Sequence, residues 1–334
     1  MARHKNLSVF VPHLGCPNQC AFCDQRSISG TQQAPTAQQV EQLCEEFLPR
    51  ENGEDCEIAF FGGSFTAIDR DYMESLLQTA HRFVKQGRAM GIRISTRPDC
   101  IDENVLCILE EYGVTSIELG AQAMQDTALC ANLRGHTVAD VEKAARLIKA
   151  KGFSLGLQMM TGMYGQQDYL ADAVDTARQF AAIGPDTVRV YPTVTLRGTL
   201  LETLFLQGKY TPPDLQQTVE ICAKVMEIFD EAGIKIIKMG LHADTGMESK
   251  IVAGPYHPAF RELCLSRMYL DKIKKQLTDN CGTDIIIRVN TKELSQWKGQ
   301  KNTNEKQLSL MGYNVKIVPC DDVKKGEFTI NSIN

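Results

Sequence analysis

Short β-rich runs alternate with longer segments of helical periodicity along most of this 334-residue chain. That alternation limits the fold more than any other feature of the sequence. The expected strands are Leu7–Val11, Glu57–Phe61, Ile92–Ser95, Ser116–Leu119, Ser154–Met159 and Thr187–Tyr191. Between them, Val138, Val141, Ala145 and Ile148 recur at spacings of three and four, as do Leu215, Val219, Cys222, Met226 and Phe229. Such spacing puts apolar side chains on one helix face. Asp214 stands where a helix cap is expected and Gly233 where a helix stops. Strand–helix alternation implies a parallel sheet, which about six strands could leave open or curl into part of a (β/α) barrel.

After about Gly240 the rhythm changes. Residues 241–257 are rich in Gly, His, Asp and Pro and read as irregular. A helix over about 258–277 and strands over Asp284–Val289 and Asn314–Val318 are expected beyond them. We therefore divide the chain into a core, 1–240, and a small C-terminal α/β extension, 241–334. Residues 271–334 are net +3 while the rest is −8. The lysines of this tail (Lys272, Lys274, Lys275, Lys298, Lys301, Lys306) read either as a solvated face or as contacts to RNA phosphates. The whole-chain charge of −5 gives no general reason to bind DNA or an anionic membrane. No apolar run is long enough to span a bilayer, and no signal peptide is apparent. Twelve cysteines without a secretory context argue for reduced thiols and a cytoplasmic protein.

Three of those cysteines are clustered. Cys16-Pro-Asn-Gln-Cys20-Ala-Phe-Cys23 follows the first expected strand with C-x3-C-x2-C spacing. Three thiolates this close can share one soft metal centre. Iron–sulfur clusters are held by cysteine thiolates, usually four, so three imply a cluster with one open iron. A zinc site completed by His13, a redox pair of Cys20 and Cys23, and plain buried thiols are the competing readings.

The C-x3-C-x-aromatic-C loop, with Phe22 as the aromatic, resembles that of the radical S-adenosylmethionine (SAM) enzymes. The resemblance implies a partial (β/α)6 barrel. It implies that Cys16, Cys20 and Cys23 bind a [4Fe–4S] cluster whose free iron chelates SAM. Cleavage of SAM then gives a 5′-deoxyadenosyl radical that abstracts hydrogen from a substrate. An electron donor such as ferredoxin or flavodoxin is implied as a partner.

Sites in parallel α/β folds lie at the carboxyl ends of strands. The second strand ends in Gly62-Gly63, which the family uses for the SAM amino group. Further on come Thr96-Arg97-Pro98-Asp99, Glu118-Leu119-Gly120-Ala121-Gln122, Arg134-Gly135-His136-Thr137 and Met159-Met160-Thr161-Gly162. With Tyr191-Pro192-Thr193 and Arg197-Gly198-Thr199, these blocks resemble the radical SAM domain of the Elongator catalytic subunit, over roughly residues 7–260. The resemblance puts Gln122 and Arg134 among the SAM contacts and Gln158 at a comparable strand end. Ser95 stands where related enzymes usually carry Glu. We find no Gly-rich acetyl-CoA loop, so the carboxymethylation outcome is not carried over. The implied substrate is a tRNA base. A tetrapyrrole or other small metabolite, and a cluster- or SAM-binding module without turnover, are the alternatives. Arg189, Tyr191 and Arg197 could face substrate or form a salt-bridged rim. Tyr256-His257-Pro258 reads as a structural junction, with His257 or His242 near the site as the sharper option.

Overall fold

The structure, a computed structural model, describes residues 5–11, 16, 19–24, 33–241, 247–277 and 284–332. Its first half repeats one unit, a strand followed by a helix. In order these are β1 (Lys5–Val11), α1 (Ala37–Phe47), β2 (Cys56–Gly62), α2 (Arg70–Lys85), β3 (Gly91–Thr96) and α3 (Glu103–Glu111). Then come β4 (Val114–Gln122), α4 (Asp126–Ala131), α5 (Val138–Ala150), β5 (Ser154–Thr161), α6 (Tyr169–Ile183) and β6 (Thr187–Pro192). Local chemistry starts and stops the helices. Thr36 with Gln39 and Thr137 with Asp140 form capping boxes at α1 and α5, and the left-handed Gly184 closes α6.

The short β7 (Thr195–Leu196) and α7 (Leu200–Leu206) lead into α8 (Leu215–Glu231) and β8 (Lys235–Met239). Asp214 and Gln217 cap α8 as a box, and Gly233 follows its end with positive φ, both as the sequence suggests. The main sheet is parallel, in the order β1-β2-β3-β4-β5-β6-β8. All six expected strands are present, each longer by up to five residues, and β8 adds a seventh.

Each strand turns one face to the helices and the other to the lumen. Val9, Ile58, Phe60, Ile94, Leu119, Leu157 and Val190 are buried in the helix-side core. The opposite face carries Phe10, Phe61, Arg93, Glu118, Gln158 and Arg189. That face is concave. β2 and β6 are four strands apart, about 19 Å in a flat sheet, yet the Arg189 guanidinium lies 5.3 Å from the centre of the Phe61 ring. The sheet therefore curls into a partial barrel, with β1 and β8 as its two edges.

Residues after Gly240 are less irregular than expected. They form α9 (Met247–Lys250) and β9 (Ile251–Ala253), which pairs antiparallel with β7. The helix α10 (Phe260–Gln276) packs on α8. A small three-stranded sheet follows, with β10 (Asp284–Val289) between β11 (Asn314–Pro319) and β12 (Phe328–Ser332). Two short helices, α11 (Leu294–Lys298) and α12 (Thr303–Leu310), join β10 to β11. Trp297 of α11 is fully buried, stacked on Tyr269 of α10 at 4.0 Å and tilted against Phe328 at 5.0 Å. The apolar core runs without interruption from the barrel into this segment. Among the described residues no helix is long and apolar enough to cross a membrane.

Candidate metal and cofactor site

The three clustered cysteines leave the carboxyl end of β1 and remain free thiols. Two backbone bonds clamp the loop at Ala21, which is fully buried. Its N–H donates to Asn132 O at 3.0 Å, and its carbonyl accepts from Leu201 N–H at 2.8 Å. Asn132 is itself fixed, its Nδ2 donating to Ala128 O and Tyr164 O. A turn bond from Cys23 N–H to Cys20 O brings those two residues together. Arg134 Nη1 donates to Cys20 Sγ at 3.0 Å.

The thiols act on one another. Burial pushes Cys16 up, and the neighbouring Cys20 adds to this. Burial, then Cys20 and Cys16, push Cys23 up to about 12. A buried thiolate is disfavoured unless a cation stabilises it, and metal coordination deprotonates a thiol outright. Three soft donors thus stand where a positive centre would relieve their mutual repulsion. Among the described residues no three such groups already converge as metal ligands. The residues therefore fit an iron–sulfur cluster by donor chemistry.

Gly62 and Gly63 are as much structural as receptive. A side chain on Gly62 would meet Val11 O at 2.6 Å, and its φ of +119° suits glycine alone. Gly63 N–H donates to Val11 O at 3.0 Å. The pair thus lets the end of β1 lie close to the end of β2. Behind it, Ser64 and Thr66 both reach the Thr96 hydroxyl, at 2.8 and 2.6 Å. This buried hydroxyl set joins the ends of β2 and β3. Sequence reasoning missed it, although polar residues directly after Gly-Gly were a signal. Ser95 Oγ is buried with no hydrogen-bond partner among the described residues.

A register shift between Leu119 and Gln122 distorts the end of β4 against β5. Gln122 adopts φ 69°, a left-handed conformation that is strained for a non-glycine residue. Its amide lies near Gly120, whose carbonyl accepts from Arg134 Nη2 at 2.6 Å. The structure thus gathers Gln122, Arg134, Gly62, Gly63 and the cysteine loop at one end of the sheet. His136 lies behind them, its Nε2 3.2 Å from Ala121 O. Burial, and then the Arg134 charge, push its imidazole down to about 4.

Gln158 is placed differently. It donates to Glu118 Oε2 at 3.3 Å, deeper in the lumen. There Arg93 bridges Glu57 and Glu118, and Arg189 grips Glu118 with two bonds of 2.6 and 2.9 Å. Arg189 is thus part of an internal ion pair, while Arg197 is exposed. His257 Nδ1 accepts from Ala259 N–H at the start of α10, which fits a structural junction. His13 and His242 lie outside the described residues.

A family model described as the radical SAM superfamily matches residues 10–179, and one for a radical SAM C-terminal domain matches residues 185–270. This chain belongs to the radical SAM superfamily. The chemistry of that family rests on a [4Fe–4S] cluster and SAM, and the chain is an enzyme of this class. It is 29% identical over 195 residues to a tRNA uridine(34) acetyltransferase of Methanocaldococcus jannaschii, covering 52% of this chain and 35% of that one. To the human Elongator complex protein 3 it is 27% identical, covering 64% and 41%. The structure of the archaeal Elp3 of Methanocaldococcus infernus shares the fold, with a TM-score of 0.64 at 20% identity, covering 82% of this chain and 64% of that one. The chain thus spans well under half the length of the first two proteins and just under two thirds of the third.

Proposed function

We propose that this radical SAM enzyme acts on a base of RNA, tRNA foremost. Cys16, Cys20 and Cys23 hold the cluster, and Gly62, Gly63 and Gln122 line the side toward SAM, with Arg134 against the sulfurs. Gln158 stands on the substrate side, in the lumen. When bound, the reduced cluster supplies the electron that cleaves SAM to methionine and a 5′-deoxyadenosyl radical. The residues of the chain orient and shield that chemistry. A ferredoxin- or flavodoxin-like donor in the cytoplasm supplies the electron, in keeping with the free thiols.

The relatives named for tRNA uridine and Elongator support the substrate class. The observation carrying it in this chain is the lumen wall. Phe10 and Phe61 face the lumen with ring centres 6.2 Å apart, and Phe10 is 38% exposed. An exposed aromatic ring inside a barrel suits a planar base, since such stacking contributes about 1–3 kcal/mol. The lysine tail lends less support. Lys272, Lys275 and Lys298 are engaged by Asp230, Glu227 and Glu305.

The test is anaerobic reconstitution with iron and sulfide, followed by dithionite and SAM, with 5′-deoxyadenosine measured by chromatography. Product that rises on adding bulk tRNA, and is missing in the Cys16→Ala, Cys20→Ala, Cys23→Ala triple variant, is the expected result. Product unaffected by tRNA but stimulated by a porphyrinogen would move the substrate to the small-metabolite alternative. A SAM-binding protein that yields no product under any condition would be a module without turnover.

A further inference from the structure

Among the described residues the buried Arg88 and Arg97, and the half-buried Arg93 and Arg189, are matched with carboxylates, whereas the buried Arg134 is not. Arg88 donates to Glu45, Arg93 to Glu57 and Glu118, Arg97 to Asp99 through two bonds, and Arg189 to Glu118. Arg134 is 7% exposed, and among the described residues no carboxylate lies within ion-pair distance of it. Its Nη1 donates to Cys20 Sγ, its Nη2 donates to Gly120 O, and its Nε has no partner. A guanidinium does not lose its proton in a folded protein. Removing such a charge from water without a counter-charge is strongly unfavourable.

The backbone nevertheless holds it there. Leu133, just before it, sits at φ 54° as the left-handed residue that closes α4, its N–H donating to Cys130 O. Arg134 N–H donates to Leu129 O, and Asn132 is tied to Ala21 of the cysteine loop. A buried cation held in place by a helix cap implies an anion that the residues around it do not supply as carboxylate. In this structure the group that Arg134 already touches and that can carry such a charge is the cysteine loop, through the bond to Cys20 Sγ.

We propose that Arg134 is the counter-charge of the cluster and raises its reduction potential. This rests on the reading of Cys16, Cys20 and Cys23 as the cluster ligands. Reduction adds one electron to a centre that three thiolates already make electron-rich. A fixed positive charge in a low-dielectric setting stabilises the reduced form more than the oxidised one. The N–H···S bond to Cys20 acts in the same direction, since hydrogen bonds to cluster sulfurs are among the determinants of potential. Arg97, also near the loop, is offset by Asp99 and contributes less. Arg134 is thus a positioning and tuning residue on the sulfur side of the site.

The experiment compares wild type, Arg134→Gln and Arg134→Lys after anaerobic reconstitution. Iron and sulfide are counted, and the reduced cluster is followed by electron paramagnetic resonance as the potential is stepped with dithionite. Arg134→Gln is expected to lower the reduced-to-oxidised ratio at the wild-type midpoint about tenfold, equivalent to about 59 mV for one electron. Arg134→Lys, which keeps the charge and loses the fork, is expected to shift less. An Arg134→Gln protein with full iron content and the wild-type midpoint would overturn the proposal. So would two variants that fold, by circular dichroism, yet hold no iron, because Arg134 would then serve assembly and not potential. A wild-type protein that takes up no iron would instead overturn the cluster reading of the loop itself.

Discussion

The Glu118 carboxylate holds Arg93 from one side and Arg189 from the other while only 1% exposed. Replacing it with Gln keeps the shape and removes the charge paired with Arg189 and one of the two paired with Arg93. We expect Glu118→Gln to lose about 3–5 kcal/mol of stability, the usual cost of breaking a buried ion pair from one side. Urea denaturation would check this, and a midpoint within error of wild type would contradict it. His136 gives a pH signature. Its folded pKa of about 4 lies below the usual 6.5, so between those values the unfolded chain takes up a proton that the folded one refuses. Stability should therefore fall as pH drops from about 6.5 to 4, by roughly 3 kcal/mol at most, and level off below. His136→Gln should flatten that part of the melting-temperature profile. At this scale the sequence was only partly legible. The cysteine spacing and the Gly-Gly pair pointed to the candidate site. The partners of Arg93, Glu118 and Arg189 did not, because residues on separate strands meet only once the sheet curls.

Entire elements were easier to read. Asp214 and Gly233 bracket α8 by local chemistry alone, and the apolar strands of the sheet stand out as buried runs. Asp214→Ala should cost about 1 kcal/mol through loss of the cap, seen as a lower melting temperature. The strand β8 was harder to see because Lys235-Ile236-Ile237-Lys238-Met239 is short and keeps lysines at two of five positions. It joins the sheet by pairing with β6. The register shift at the end of β4 has no local mark in the sequence either. Gly62 brings element and site together. In Gly62→Ala the new methyl group meets Val11 O, so the ends of β1 and β2 must separate. We expect reduced iron retention after reconstitution together with a lower melting temperature. Wild-type values of both would show that the two strand ends can part without consequence.

For the molecule as a whole, the C-terminal segment is fastened to the barrel. α10 lies on α8, with Lys272 and Lys275 reaching Asp230 and Glu227, and Trp297 binds the small sheet to α10. Calorimetry should therefore show one cooperative transition. Trp297→Ala should lower it by about 3–5 kcal/mol, as for other large buried aromatics. A separate early transition in wild type would mean that the two parts melt independently. The +3 tail is the opposite lesson in legibility, for counting lysines could not show that several are already spoken for. The clamp at Ala21 has a consequence of its own. The cysteine loop springs from an edge strand bonded on one side only, like a bridge with a pier at one bank. Its cables run to Asn132, at the end of α4 beyond the central strand, and to Leu201, at the head of α7. Slackening either anchorage would loosen the span without touching a sulfur atom. Loss of iron could then arise from residues that no search for metal ligands would single out.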